Sequence, residues 1–303
     1  MTTDQVKALS PVDRFLYWCE ERHRIYLRRQ NGDQKPWTED SILQRFYFTN
    51  TYRELDKTTT WFREEVRDPL RDTLDVIMAT VIFRWFNYIP TGELLLHPTP
   101  GEKPLLTAWD PARALKLLGH LRSNGQQIFT GAFMINSPAG EPKLEAIIRR
   151  IDNVWKDRER LEAKAGGWTS LQQAHKDFTQ YEGLGGFMAY ELVCDLRFTK
   201  WLSHATDINW WANPGPGAIR GMYRVLGREI KNKSNATAPS VPKEWDSQIM
   251  NLRLLLQEHM HHHFGEHIPA IEAREVEMSL CEYDKYVRLL LGEGKSKRTY
   301  KGV

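Results

Sequence analysis

Apolar positions recur every three to four residues along most of this chain, and the strict alternation of a half-buried strand is nearly absent. Ser10-Pro11 reads as an N-cap followed by proline in the first turn, opening a helix through Phe15, Leu16, Cys19 and Ile25 that stops before Asn31-Gly32. The many Arg and Glu residues of this helix predict a wet face. A second helix starts at Thr38-Glu-Asp and carries Ile42, Leu43 and Phe46, followed by the 49–60 segment and a charged helix. Residues 72–86 are almost wholly apolar, with Leu74, Val76, Ile77, Met78, Val81, Ile82 and Phe83, which predicts a helix at the centre of a core.

The periodicity fails over 87–109 among four prolines and two glycines, so an ordered loop is expected there. Asp110-Pro111 restarts a helix that ends near Asn124-Gly125, and 126–135 groups Ile128, Phe129, Phe133, Met134 and Ile135 around Thr130-Gly131 as a candidate β hairpin. Glu141-Pro142 opens a long charged helix ending at Ala165-Gly166-Gly167. That glycine pair is the expected boundary between lobes at 1–167 and 168–303, because Thr169-Ser-Leu-Gln172 caps the next helix at once. Further helices are expected over 218–226, 243–262 and 272–290, with a polar linker at 231–240. The predicted fold is mainly α, two helical lobes with a cleft between them and at most one short β hairpin.

Composition changes this picture little. At 303 residues, 41% hydrophobic and with 11 Trp, the chain can bury a substantial core. The formal net charge of +3 is too mild to demonstrate a polyanion partner, so local distribution matters more. Lys295, Lys297, Arg298 and Lys301 stand against Glu293 in the 292–303 tail, which suits a phosphate-contacting arm as well as a solvated tail. Cys19, Cys194 and Cys281 are far apart and form no CxxC pair, so buried thiols in a reducing compartment are expected. The N-terminus has no basic segment followed by an apolar run, and no stretch approaches membrane-spanning length. The expected location is the cytoplasm, with no membrane partner.

Four groups of residues can carry chemistry. Gly183-Leu-Gly185-Gly186 turns directly into an apolar helix whose first amides are unsatisfied donors, a shape that grips a phosphate and also a plain helix start. Asp207 is followed by WWANPGPG at 210–217 and by Arg220, and the two prolines and two glycines stiffen a turn able to hold Asp207 beside Trp210 and Trp211. The TNTYRELDK block at 49–57 sets Asn50, Arg53, Glu54 and Lys57 at three-to-four spacing, which on a helix is one polar face, beside Tyr52, Asp56 and Trp61. EMSLCEYDKY at 277–286 places Glu277, Cys281 and Asp284 on one face and Lys285 one turn from Cys281, a solvated helix or an internal carboxylate–lysine set. His259 and His263 have the i, i+4 spacing of a metal pair, but no spacing supplies an acidic third ligand and Gly265 ends the helix. An exposed, partly protonated face is expected there, and no metal site is assigned.

Three of these stretches together resemble one family. TNTYRELDK at 49–57, GLGGFMAYE at 183–191 with DLR at 195–197 and GPGAIRG at 215–221, and EMSLCEYDKY at 277–286 with GEGK at 292–295 look like the helical domain of phage thymidine-hypermodification proteins. That superfamily includes the α-glutamyl/putrescinyl-thymine pyrophosphorylases, or amino acid:DNA transferases, and the helical partner domain of 5-hydroxymethyluracil DNA kinases. The resemblance covers roughly 40–300 and implies a helix-hairpin-helix, DNA-glycosylase-like fold. It implies a base flipped out of double-stranded DNA carrying a modified thymine, an amine co-substrate such as an amino acid or putrescine, and action after a separate DNA kinase.

On this resemblance Asp207 stands where glycosylases keep their catalytic aspartate and would serve as general base. Arg53, Lys285 and Glu277 complete the catalytic set. Asn50, Tyr52, Asp56, Trp210, Trp211, Arg220 and Asp284 would bind substrate, and Gly183, Gly185, Gly186 and Arg197 would bind DNA. Mg²⁺ is compatible as an aid to the leaving group, although no ligand set is readable. No GxxxxGK[ST] occurs, which favours transferase over kinase, and Phe187-Met188 stand where lyase-type glycosylases carry lysine. A base-excision enzyme and a non-catalytic DNA-binding partner are the alternative readings.

Overall fold

The computed structural model describes residues 1–96, 108–131, 140–230, 239–294 and 299–300. Its longer helices are α1 (Pro11–Gln30), α2 (Asp75–Phe86), α3 (Ile89–Leu96), α4 (Pro111–Ser123), α5 (Lys143–Lys156), α6 (Arg158–Ala165), α7 (Leu171–Phe178), α8 (Gly186–Leu196), α9 (Pro216–Val225), α10 (Trp245–Phe264) and α11 (Ala273–Leu290). Among the described residues there is no strand, only one isolated antiparallel bridge between Phe46 and Thr299. The mainly α reading therefore holds. The expected hairpin lies partly outside the described residues, and its described part, 126–131, forms no strand. Most of the polar linker and of the basic tail also lie outside them.

The chain gathers into two compact units. One joins Met1–Asp56 to Asn209–Val303, and the other is Lys57–Ile208. Gly166 and Gly167 lie inside the second unit, where they follow α6.

In the second unit α2 is the core helix, buried from Val76 through Phe86. That buried stretch includes one charge, Arg84, which survives burial because every side of its guanidinium is matched. Nε and Nη2 donate to the two carboxylate oxygens of buried Asp195 on α8, and Nη1 donates to Asn87 Oδ1 at 2.9 Å. Asn87 ends α2 in the left-handed conformation, φ 44°, which Asn tolerates better than most residues. The loop expected over 87–109 is wrong in its first part, since 89–96 is helical. Pro90 stands in the first turn, where no intrahelical N–H is required, and Gly92 is a packing residue. A Cβ there would come within 2.6 Å of the Trp61 ring and 2.9 Å of Phe83. The charged helix expected from 141 to 165 breaks at Asp157 into α5 and α6.

In the first unit, α11 is the spine. It packs hardest on α9, whose small residues Gly217 and Gly221 face it: a Cβ at Gly217 would lie 2.5 Å from Cys281 Sγ, and one at Gly221 only 2.1 Å from the Leu280 carbonyl oxygen. Glycines one turn apart therefore let two helix backbones touch, which sets Arg220 and Arg224 of α9 against α11. Gly221→Ala is expected to destabilise the protein by about 1–3 kcal/mol through overpacking against immovable backbone. Urea denaturation checks this, and an unchanged midpoint would show that the helix pair tolerates wider spacing.

Candidate functional site

The 49–57 block does not form the helical face expected of it. Residues 47–50 are irregular and only Arg53–Leu55 makes a single 3-10 turn before the helix Lys57–Phe62. Local side-chain bonding explains the difference. Asn50 N–H and Asn50 Nδ2 both donate to Asp56 Oδ1 at 3.0 Å, and Nδ2 also reaches the Leu55 carbonyl at 2.8 Å, closing the segment into a loop. α11 holds this loop from the other side. Thr49 N–H donates to Glu282 Oε2, and Lys285 Nζ donates to the Tyr47 carbonyl at 2.6 Å, to Glu282 Oε2 at 3.2 Å, and lies 4.4 Å from the Phe48 ring centroid.

Arg22 of α1 belongs to the same neighbourhood, and the sequence reading missed it. It lies on the Arg- and Glu-rich helix whose charged residues are expected to form a wet face, yet Glu21, Arg22 and His23 are all buried. Its Nε donates to the Phe48 carbonyl at 3.2 Å, while Nη1 is buried without a hydrogen-bond partner. The signal that would have revealed it is a residue 26 positions away, so no local pattern carries it.

Burial pushes the Asp56 carboxyl up to about 6, although the Asn50 N–H and the charges of Arg22 and Arg53 pull it down. A carboxyl whose folded pKa is raised binds a proton more tightly when folded, so its contribution to stability is present at pH 4 and lost as pH rises through about 6. Asp56→Asn is expected to flatten the pH dependence of unfolding free energy between pH 4 and 6.5. An identical slope in that variant would assign the dependence to other groups.

The second neighbourhood lies on the opposite flank of α11. Asp284, 1% exposed, takes Arg220 Nε on Oδ2 at 2.8 Å and Arg224 Nε on Oδ1 at 2.7 Å, while Arg224 Nη2 reaches Glu293 at 2.9 Å. Arg220 is itself only 6% exposed and its Nη1 has no hydrogen-bond partner. Glu277, half-buried, accepts the Gly215 N–H at 3.2 Å, at the end of the loop that carries exposed Trp210 and buried Trp211. Cys19 and Cys194 are buried as expected but Cys281 is exposed; its Sγ faces α9 at Gly217, and local desolvation, with Glu277, Glu282 and Asp284 nearby, pushes its thiol up.

Tyr52 goes elsewhere. It is buried with its ring edge-on to His23 at 5.0 Å, and its hydroxyl has no hydrogen-bond partner. Close to it, buried Arg274 meets Glu54 at 3.2 Å and Glu275 at 2.9 Å, a charge cluster that the sequence reading also missed.

Asp207, Gly183, Gly185, Gly186 and Arg197 belong to the other unit. Asp207 is 1% exposed, and its two oxygens accept the Leu171 N–H at 2.7 Å and the Gln172 N–H at 2.9 Å. With Ser170 Oγ taking the Gln173 N–H, these bonds cap the start of α7. The glycine turn joins α7 to α8, and the two helices pack together. Gly183 has φ 80° and leaves no room for a Cβ, which would meet Trp85 at 2.6 Å. Gly185, by contrast, is extended at φ −67°, and nothing lies within 4 Å of a Cβ placed on it. Exposed Phe187 follows in the first turn of α8, and half-buried Arg197 caps its far end with its guanidinium 5.1 Å from the Phe198 ring centroid.

The chain has relatives among known proteins. The family model for the helical domain of 5-hmdU DNA kinase matches residues 10–296. A 5-hmdU DNA kinase of Bacillus phage SP10 is 26% identical over 287 residues, covering 88% of this chain and 43% of that protein. The chain thus spans less than half the length of this curated relative. No solved structure matches it.

Proposed function

The chain belongs to the family of 5-hmdU DNA kinase helical domains, and from that premise we propose that it acts on a 5-substituted thymine within DNA, replacing a pyrophosphate on the 5-methylene with an amine. The observation that carries this reading is Arg220. Its guanidinium is desolvated, held at Nε by Asp284, and has an Nη1 donor without a partner. A donor fixed in advance of the charge it will meet is what stabilises a departing anion.

In the proposed step the amine nitrogen forms a bond to the methylene carbon as the carbon–oxygen bond breaks. Pyrophosphate leaves with the electron pair, meeting Arg220, while Lys285 and Arg53, on the other flank of α11, support the 47–56 loop rather than meet the anion. The proton lost by the amine goes to a carboxylate. Glu277 suits that role better than Asp207, because both Asp207 oxygens are engaged by backbone amides and Glu277 borders the tryptophan loop. Asp207 then acts by positioning α7 and the glycine turn behind it. The helix-hairpin-helix likeness adds the glycine turn and Arg197 as the phosphate grip and Trp210 as a stacking surface for a flipped base.

A second reading has an observation of its own. The relative is named as a kinase and is more than twice the length matched, so this chain can serve as the helical part that presents 5-hydroxymethylated DNA to a kinase active site. One experiment separates them. DNA carrying 5-(pyrophosphoryloxymethyl)uracil is incubated with the protein and candidate amines, digested, and its nucleosides are weighed. An amine adduct supports transfer, abasic sites support excision, and unchanged DNA that remains bound supports presentation.

A further inference from the structure

Two histidines one turn apart on α10 meet a carboxylate from α1. His259 Nε2 lies 2.8 Å, and His263 Nε2 3.3 Å, from the same oxygen, Glu20 Oε2, and the two imidazole centroids are 4.5 Å apart. One ligand atom from each residue falls within a 4.8 Å set. The other Glu20 oxygen, Oε1, accepts from Arg24 Nε at 2.8 Å, which orients the carboxylate with Oε2 towards the rings. Glu20 and His259 are half-buried and His263 is nearer the surface, so solvent reaches the set.

We propose that Glu20, His259 and His263 bind a divalent first-row transition metal, zinc by preference, and that the ion ties α1 to α10. Two imidazoles and one carboxylate suit zinc, whereas magnesium and calcium take oxygen ligands almost exclusively. Metal–ligand distances of about 2.0–2.1 Å place tetrahedral ligands roughly 3.3 Å apart. The His263 pair already has that separation, and the His259 pair must open by about half an ångström. One coordination position stays open to water or a further ligand. Arg24 Nη2 lies 3.3 Å from His263 Nδ1, an arrangement in which Nδ1 accepts and Nε2 carries the ring proton. Loading moves that proton to Nδ1, so Arg24 must leave Nδ1 while keeping Oε1. Neither His261 nor His262 belongs to the ligand set; His261 instead lies 2.6 Å from Gln257 Nε2.

The test uses full-length, tag-free protein stripped with chelator and titrated with Zn²⁺ and Co²⁺, following bound metal by equilibrium dialysis and thermal unfolding. One equivalent is expected to bind, with the melting midpoint raised by about 5 °C at saturation. Glu20→Gln and His263→Asn are each expected to abolish that equivalent, and His263, being near the surface, can change without loss of fold. The double variant His261→Asn/His262→Asn should retain it. Absence of saturable binding, binding that survives in His263→Asn, or binding lost in the double variant would each overturn the site.

Discussion

Asp284→Ala is expected to cost about 3–5 kcal/mol of folding stability, the largest loss expected from any single change in the first unit. The carboxylate is the common partner of two guanidiniums on α9, each of which it holds at 2.7–2.8 Å. Arg224 retains Glu293 when the carboxylate goes, but Arg220 keeps no acidic partner while remaining buried. An uncompensated buried charge is far more costly than a missing surface pair. The geometry that creates this dependence is the close approach of α9 to α11 at Gly217 and Gly221, which sets both arginines of α9 against Asp284. Urea denaturation monitored by tryptophan fluorescence measures the effect. A loss below about 1 kcal/mol would mean that Arg220 finds water or another acceptor, and would remove the argument that its guanidinium is fixed in place.

The second large effect concerns chemistry. Arg220→Lys keeps the charge but loses the planar fork that lets Nε bind Asp284 while Nη1 points to another acceptor. Amine transfer is expected to fall by about 10²–10³-fold, the usual consequence of removing one prepositioned donor to a developing anion. Binding to DNA should change little, because the proposed phosphate grip is in the other unit. Far-UV circular dichroism matched to wild type keeps the comparison interpretable. A rate within threefold of wild type would exclude Arg220 as the donor.

Much of the fold was legible because it is written locally. Ser10 and Asp110 do cap their helices, each accepting the N–H of the residue three positions on, and the almost wholly apolar run through Val76 and Phe83 is the buried core helix expected of it. What failed locally failed for tertiary reasons. Gly92 reads as a breaker until Trp61 and Phe83 show why no side chain fits there, and the 49–57 block keeps helical spacing while Asn50 and Asp56 close it into a loop. The grouping of the candidate residues was not legible: Lys285, from the 277–286 motif, joins Asn50, Arg53 and Asp56 around one loop, while Arg220 meets Asp284 of that motif and Asp207 lies in the other unit. Arg22, Arg274 and Glu20 escaped notice because charged residues on charged helices look solvated until a partner over two hundred residues away, or a distant loop carbonyl, is brought against them.

The proposed reaction exchanges pyrophosphate for an amine at a thymine methylene in DNA. The most direct measurement counts both products of one reaction, pyrophosphate released and amine incorporated, on duplex DNA carrying 5-(pyrophosphoryloxymethyl)uracil. Equal yields of the two are expected with wild-type protein, and neither above background with Arg220→Lys over the same time. Pyrophosphate release without amine incorporation, or intact modified DNA after prolonged incubation with bound protein, would contradict it.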